Sequence, residues 1–484
     1  MYRGKSITEL RNMLDSGEVT AEELFNSANR LAHYFQEDSN SFVTIVDKFK
    51  YKDRDSLING IPYALKDNFS TSGILTTASS NILKDYVPFF DATVVTKLKE
   101  SGAVCIGKTV LDELAMGGTG TTGHTGIVRN PWDKERLIGG SSAGSAASVA
   151  LGIVPFAIGS DTGDSVRKPA IYGGIVGYKP TYGLVSRYGL FPFACSLDHV
   201  GIFSRSVEDT ALVLDNIKGY DEKDMTSLRC ETPSFHDNLN NNIKGMKLFY
   251  IKELLDINNY KDDVDEELTM ILDNFKEKIE LCKSLGATVS EVSIDKRLLE
   301  SLFPTYFAIS CAEATSNNSN LTGIIFGPNG EGNNVNDIMF DARTKGFSEL
   351  IKRRFVLGSY ILQKENQEKL FLNAGRIRRL VVDKFTSLFK EYDALILPGS
   401  SSIAPKFKSE NLDKLSDRYL LLENHMLIGN FGGFPSISIP SGFVKGMPIG
   451  LSLTSGVLSD QKLLNIAYAL ESNMSYKGQF KEVK

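Results

Sequence analysis

The chain has no surplus of positive charge: 54 lysines and arginines stand against 59 acidic residues, a net charge of −5. That excludes a general basic field for gripping nucleic acid and leaves only local RNA contact open. Cysteine is sparse. Cys105, Cys195, Cys230, Cys282 and Cys311 are scattered without a CxxC pair, which predicts buried free thiols in a reducing compartment. The five histidines (His33, His124, His199, His236, His425) are equally dispersed, so no zinc cluster is expected. Long hydrophobic runs are missing too. The least polar stretch, AASVALGIVPFAIG, is too short and too interrupted to span a bilayer. The opening MYRGKSITELRNML has no apolar signal core, so the expected location is cytoplasmic.

What is present is a globular composition: 484 residues, 42% hydrophobic and 23% charged, enough for a large core. Two capping-box patterns, SITE from Ser6 and TAEE from Thr20, open helices in a helical N-terminal edge over about residues 1–40. A helix pattern, a small turn and a β-rich run then recur in ATVVTKLKESGAVCIGKT, NFKEKIELCKSLGATVSEVSI and DKFTSLFKEYDALILPG. Helices alternating with short strands predict an α/β fold whose helices cover a largely parallel or mixed sheet. The Asn/Gly-rich residues 315–337 and the charged residues 218–242 read as surface loops. Length alone would suggest two or three domains, but neither segment has linker composition. The expectation is one domain over residues 1–484.

Glycine, serine and threonine concentrate in residues 117–184, where generic motifs also fall by chance. GTGTTG (Gly118, Gly120, Gly123) matches GxGxxG, yet it follows a helix-like run and leads into HTGIVRNPWD, so a dinucleotide site is not expected. GSSAG (Gly140 to Gly144) matches the nucleophile elbow but lacks a preceding strand and histidine and aspartate partners in a recognisable pattern. GGSSAGSAA lacks the GK[ST] of a phosphate loop. Its plainest reading is a turn opening a small-residue helix.

A different arrangement joins distant segments. Ser165 in GSDTGDSVRKP needs a base to act as a nucleophile, and no histidine lies near it in sequence. A lysine kept neutral by burial can serve. Lys66 closes the apolar run of GIPYALKDN, which would place its amine at the inner end of a strand.

The segments GIPYALKDN, GGSSAGSAASVALGIVP, GSDTGDSVRKPA and GYKPTYGLVSRYGLFPFACSLDHVG, in this order and spacing, resemble the amidase signature family. Within it the chain is similar to the glutamine-hydrolysing subunits of tRNA-dependent amidotransferases. The resemblance extends from GEVTAEEL to NFGGFPSISIPSG and GMPIGLSL, with the signature core over about residues 60–210. It implies a mixed central β-sheet covered by helices on both faces and a Ser-Ser-Lys triad of Lys66, Ser141 and Ser165. Ser165 would be the acyl-enzyme nucleophile, and Ser141 would relay its proton to Lys66; Ser142 is the nearest rival to Ser141 and falls behind it on spacing alone. The backbone N–H groups of Thr162, Gly163 and Asp164 would form the oxyanion hole. An arginine, Arg354 (with Arg353 beside it), and an acid, Glu423 where the family usually has Asp, would hold the α-carboxylate and α-amino group of glutamine.

The resemblance also implies no cofactor in this chain, with ATP and Mg on a partner. The partners would be the B and C subunits of a heterotrimer, which would spend the ammonia on Glu-tRNA(Gln) or Asp-tRNA(Asn). A stand-alone amidase and a catalytically impaired scaffold are the alternatives. Three departures from the family pattern stand out. Asp164 and Lys168 replace a glycine and a glutamine, and NLTG (Asn320 to Gly323) replaces RYDG, leaving Leu321 where a tyrosine is usual. The expectation is that Asp164 points away from the site and pairs with Lys168 or Arg167.

Overall fold

In the computed structural model, residues 2–260, 263–325, 327–407, 418–476 and 478–479 are described. Their centre is an eleven-stranded sheet. In chain order the strands are β1 (Phe42–Ile45), β2 (Pro62–Lys66), β3 (Val104–Thr109), β4 (Phe156–Asp161), β5 (Val176–Lys179) and β6 (His199–Ser204). They continue with β7 (Lys247–Ile251), β8 (Thr288–Val292), β9 (Ala394–Pro398), β10 (Ser436–Val444) and β11 (Met447–Thr454). The spatial order is β1-β3-β2-β4-β6-β5-β10-β11-β9-β7-β8. The sheet is mixed: β2 runs parallel to β3 and β4, and β7 parallel to β8 and β9, while β4, β5, β6, β10 and β11 pair antiparallel.

Both faces of the sheet are covered, and strand alternation shows why. Successive side chains point to opposite faces. Tyr63, Leu65, Phe156, Ile158, Val200 and Ile202 therefore enter one core with the helices Thr93–Glu100, Val207–Ile217 and Asp460–Ser472. Ala64, Ala157 and Phe203 enter the other, against the helices Ala21–Ser39 and Ala143–Ala150. The small residues of Ala143–Ala150 are all buried, so that helix lies close on the sheet. A third core joins the helices Leu302–Asn317, Glu349–Leu362 and Asn373–Leu388 to the β7 and β9 side.

Both capping boxes form, Ser6 with Glu9 and Thr20 with Glu23. The three helix–turn–strand units become Thr93–Glu100 with β3, Glu266–Ser284 with β8, and Asn373–Leu388 with β9. Two details differ from the sequence reading. The irregular stretch inside 315–337 is shorter, because Leu302–Asn317 extends into it and Val335–Gly346 begins inside it. Asn334 caps that second helix by accepting from the Asp337 N–H. The cysteines are free, but only Cys282 and Cys311 are buried and Cys195 is exposed.

Candidate active site

The apolar run before Lys66 makes β2 a fully buried strand, and its last side chain is enclosed with it. Lys66 Nζ donates to Ser141 Oγ at 2.8 Å, to Ser160 Oγ at 2.8 Å and to the Ser160 carbonyl at 3.2 Å. Burial is the main influence on this amine and pushes it down. The charges of Asp112, Asp161 and Asp198 pull it partly back, leaving it lowered to about 7. An amine so placed is largely free of its proton just above neutrality and can accept one.

Ser141 follows a cis Gly140–Ser141 peptide at the turn before Ala143–Ala150. The two serines of the motif part here. Ser142 Oγ donates to the Ser160 carbonyl at 3.0 Å and its N–H to the Ser165 carbonyl at 3.2 Å, so it ties the turn to β4. Ser141 alone faces Lys66. The glycine-rich GTGTTG stretch serves as a wrap around the buried Asp112. The Asp112 carboxylate accepts the N–H groups of Thr119, Gly120, Thr121 and Thr122 at 2.9–3.2 Å. The Asp112 N–H in turn donates to the Ser141 carbonyl at 3.1 Å.

Next to β2, β4 ends at Asp161, and a tight turn leads to the helix Arg167–Gly173. Asp161 holds this turn. Its Oδ2 accepts from the Val166 N–H at 3.0 Å and Arg167 Nε at 3.1 Å, and its Oδ1 from Arg167 Nη2 at 3.0 Å and Asn430 Nδ2 at 2.9 Å. Burial alone would raise this carboxyl; Arg167, with Asn430 and Lys179, overcomes it and holds it well below the usual carboxylate range. Among the described residues the N–H groups of Thr162, Gly163 and Asp164 donate to no protein acceptor. Three consecutive free donors of this kind suit an anion. Ser165 follows them, 4% exposed, and its hydroxyl makes no hydrogen bond among the described residues. Gly163 is needed for closeness: a Cβ there would lie 3.1 Å from both Leu427 and Tyr306.

The turn opens into a cavity of about 690 Å³ lined by Gly163, Asp164, Lys168, Tyr306, Arg354 and Glu423, among others. The expected pairing of Asp164 is corrected here. Lys168 Nζ lies 2.5 Å from Glu423 Oε2, and Arg167 is engaged by Asp161. The Asp164 carboxylate pairs with neither. The backbone does wind back to residue 164, where the Lys168 N–H donates to the Asp164 carbonyl at 2.9 Å, but the Lys168 amine and the Arg167 guanidinium are taken by Glu423 and Asp161. Burial, only partly offset by Lys168, raises the Asp164 carboxyl to about 6. Glu423 behaves oppositely. Burial would raise it, but Lys168 and Ser401 lower it to about 2, and Ser401 donates its N–H to Oε1 at 2.6 Å. Arg354 lines the cavity while Arg353 is exposed. Leu321 is buried in the helical core and does not line the cavity, whose tyrosines are Tyr172, Tyr306 and Tyr419.

Three residues that serve this site drew no notice in the sequence. Ser160, Asn430 and Asp198 lie inside motif-bearing segments, but nothing in their spacing joins them. Asp198 accepts Thr162 Oγ1 at 2.7 Å and the Phe193 N–H at 3.0 Å; burial raises it to about 6. No histidine lines the cavity. Among the described residues no group of three or more His, Cys, Asp or Glu could hold a metal ion, and no helix is long and apolar enough to cross a membrane.

A buried lysine bonded to Ser141, with the adjoining Ser142 N–H on the carbonyl of a second serine that follows three free N–H groups, is a set of groups able to activate a hydroxyl next to an anion-binding turn. The chain belongs to the amidase family, whose model matches residues 21–464. It is 39% identical over 99% of its length to the A subunit of glutamyl-tRNA(Gln) amidotransferase from Streptococcus pneumoniae, covering 98% of that protein. Similarity to the protein of the same name from Streptococcus thermophilus is equal in identity and coverage. Among solved structures, the A subunit of the Thermotoga maritima glutamyl-tRNA(Gln) amidotransferase superposes with a TM-score of 0.81 at 35% identity, over 99% of this chain and 98% of that one.

Proposed function

We propose that this chain is the glutaminase subunit of a tRNA-dependent amidotransferase. The observation that carries the reading is Lys66, buried, lowered to about 7 and bonded to Ser141, whose neighbour Ser142 donates its N–H to the Ser165 carbonyl. The full-length similarity to amidotransferase A subunits supports the substrate. In this reading the Ser165 hydroxyl turns toward Ser141, as apo catalytic contacts commonly tighten only with substrate. Ser165 Oγ attacks the side-chain amide carbon of glutamine. Its proton passes to Ser141 Oγ, which gives its own to neutral Lys66. A hydroxyl that both donates and accepts does here what histidine does in the better-known triad. The alkoxide forms against the N–H groups of Thr162, Gly163 and Asp164, a contribution of about 3–4 kcal/mol per strong donor in comparable sites.

Collapse breaks the C–N bond, the proton returns along Lys66 and Ser141 to the leaving nitrogen, and ammonia departs from a γ-glutamyl ester on Ser165. Water then attacks the ester by the same relay, releasing glutamate. Arg354 binds the α-carboxylate. The ammonia goes to partner subunits, B and C in the amidotransferase reading, for conversion of Glu-tRNA(Gln) and, by the same chemistry, Asp-tRNA(Asn). ATP and Mg belong to that partner step, and the assembly is cytoplasmic. The continuity of one sheet from residue 42 to residue 454 supports one domain over 1–484.

A stand-alone amidase is favoured only by the altered pocket, where Lys168 occupies Glu423. A glutaminase assay with and without co-purified partner subunits and acceptor tRNA separates the readings. Glutamine turnover that rises with them supports the proposal. Turnover of varied amides by the chain alone supports the second reading, and none under any condition supports a scaffold.

A further inference from the structure

Two opposite charges in the cavity have no hydrogen-bonded or ion-paired partner among the described residues. Arg354 stacks between the rings of Phe193 and Phe307, 5.7 and 5.1 Å from their centres, and its buried Nε and Nη1 have no hydrogen-bond partner. The Asp164 carboxylate makes no hydrogen bond or ion pair among the described residues. The two charges face one space. Both act on the hydroxyls of Tyr306 and Tyr419, which burial raises first and Asp164 raises further. Buried or half-buried charges without such partners are costly, so an opposite pair facing one cavity fits a ligand that carries both signs. Glu423 is not available to such a ligand. One of its oxygens is held by Lys168 at 2.5 Å and the other by Ser401 at 2.6 Å.

We infer that Asp164 binds the α-ammonium of the substrate while Arg354 takes its α-carboxylate, so that Asp164, not Glu423, selects for an amino acid. The inference rests on the glutaminase reading and adds to it. Position supports it: Asp164 is the residue directly before Ser165, and the α-nitrogen of glutamine is only four bonds from the carbon that Ser165 attacks. It also resolves the apparent fault of an acid beside the oxyanion donors. An ionised carboxylate there repels the developing alkoxide in a site of low dielectric. A substrate ammonium bound to it cancels that repulsion. An amide without an ammonium leaves the repulsion in place and should be a poor substrate.

The test compares glutamine with glutaramate, which keeps the amide and the carboxylate but lacks the amino group. The full chain is used with its co-purifying subunits. The wild type should favour glutamine in kcat/KM. In Asp164→Asn and Asp164→Gly that preference should fall at least about tenfold, the usual worth of a hydrogen bond to a charged group. Both variants keep the backbone N–H but lose the repelling carboxylate, so their kcat/KM for glutaramate should rise above the wild-type value, which a merely misfolded site would not show; a fall for glutaramate as large as that for glutamine overturns the inference. A preference unchanged within about twofold in both variants overturns the inference, as does its loss in Glu423→Gln alone. If the wild type hydrolyses neither amide, the glutaminase reading itself fails and takes this inference with it.

Discussion

Replacing Lys66 with methionine should stabilise the fold at neutral pH while ending amide hydrolysis. The magnitude follows from the site. An amine lowered from its ordinary 10.5 to about 7 sets the fold back by roughly 5 kcal/mol at neutral pH, at about 1.4 kcal/mol per pH unit. Methionine has similar length and no charge to desolvate. Against this, Ser141 and Ser160 lose the donor they share, a loss of about 1–3 kcal/mol. The net expectation is a gain of about 2–4 kcal/mol at pH 7.

The sign carries a pH signature. Between pH 7 and 10.5 the unfolded chain binds the lysine proton and the folded chain does not, so wild-type stability rises with pH in that window. Methionine does not titrate. Its advantage is therefore greatest at or below pH 7 and shrinks by roughly 2 kcal/mol between pH 7 and pH 9. Urea unfolding of both proteins at the two pH values, with amide hydrolysis measured in parallel, makes the comparison. A constant difference across that range would mean that Lys66 stays charged in the fold, and the proposed base would be lost.

Other consequences follow from the same geometry. The kcat for glutamine should fall as pH drops below about 7, because protonation of Lys66 removes the acceptor at the end of the relay; a flat profile from pH 5.5 to 8 contradicts this. Ser141→Ala and Ser142→Ala each remove one buried hydroxyl and should each lose about 1–2 kcal/mol in thermal or urea unfolding. They should differ in turnover: Ser141→Ala loses at least about a thousandfold in kcat, while Ser142→Ala retains most of it, since among the described residues its hydroxyl bonds only to Ser160. Gly144→Ala should destabilise by at least about 3 kcal/mol, visible as a lowered Tm, because its Cβ would lie 2.2 Å from the Ser41 carbonyl and 2.7 Å from the Val110 amide.

The parts of the fold legible in the sequence are those where neighbouring residues decide the outcome. Ser6 and Glu9 close a capping box within one turn. The apolar run up to Lys66 forms a buried strand whether or not its function is known. The motif region also showed which serines to consider and set Ser141 ahead of Ser142, but on spacing alone. That choice depends on backbone turns that aim one hydroxyl at Lys66 and the other at Ser160.

Charge pairing was the least legible, because it is settled by long-range contacts. Arg167 had Asp161 and Asp164 within reach along the chain, and the turn closed on Asp161 with help from distant Asn430. Lys168 passed over Asp164 for Glu423, more than 250 residues away. Asp198, fixed by the N–H groups of Phe193 and Ala194, lies inside a motif-bearing segment, but nothing in its spacing ties it to Thr162.

In the proposed reaction Ser165 forms a γ-glutamyl ester, with Ser141 and Lys66 moving the proton. The most direct measurement is peptide mass mapping after incubation with an electrophilic glutamine analogue, on the wild type and on Ser165→Ala. A label confined to the peptide bearing Ser165, and absent from the variant, is the predicted result. A label on Ser141, Ser142 or any residue outside that turn, retained in Ser165→Ala, would contradict it.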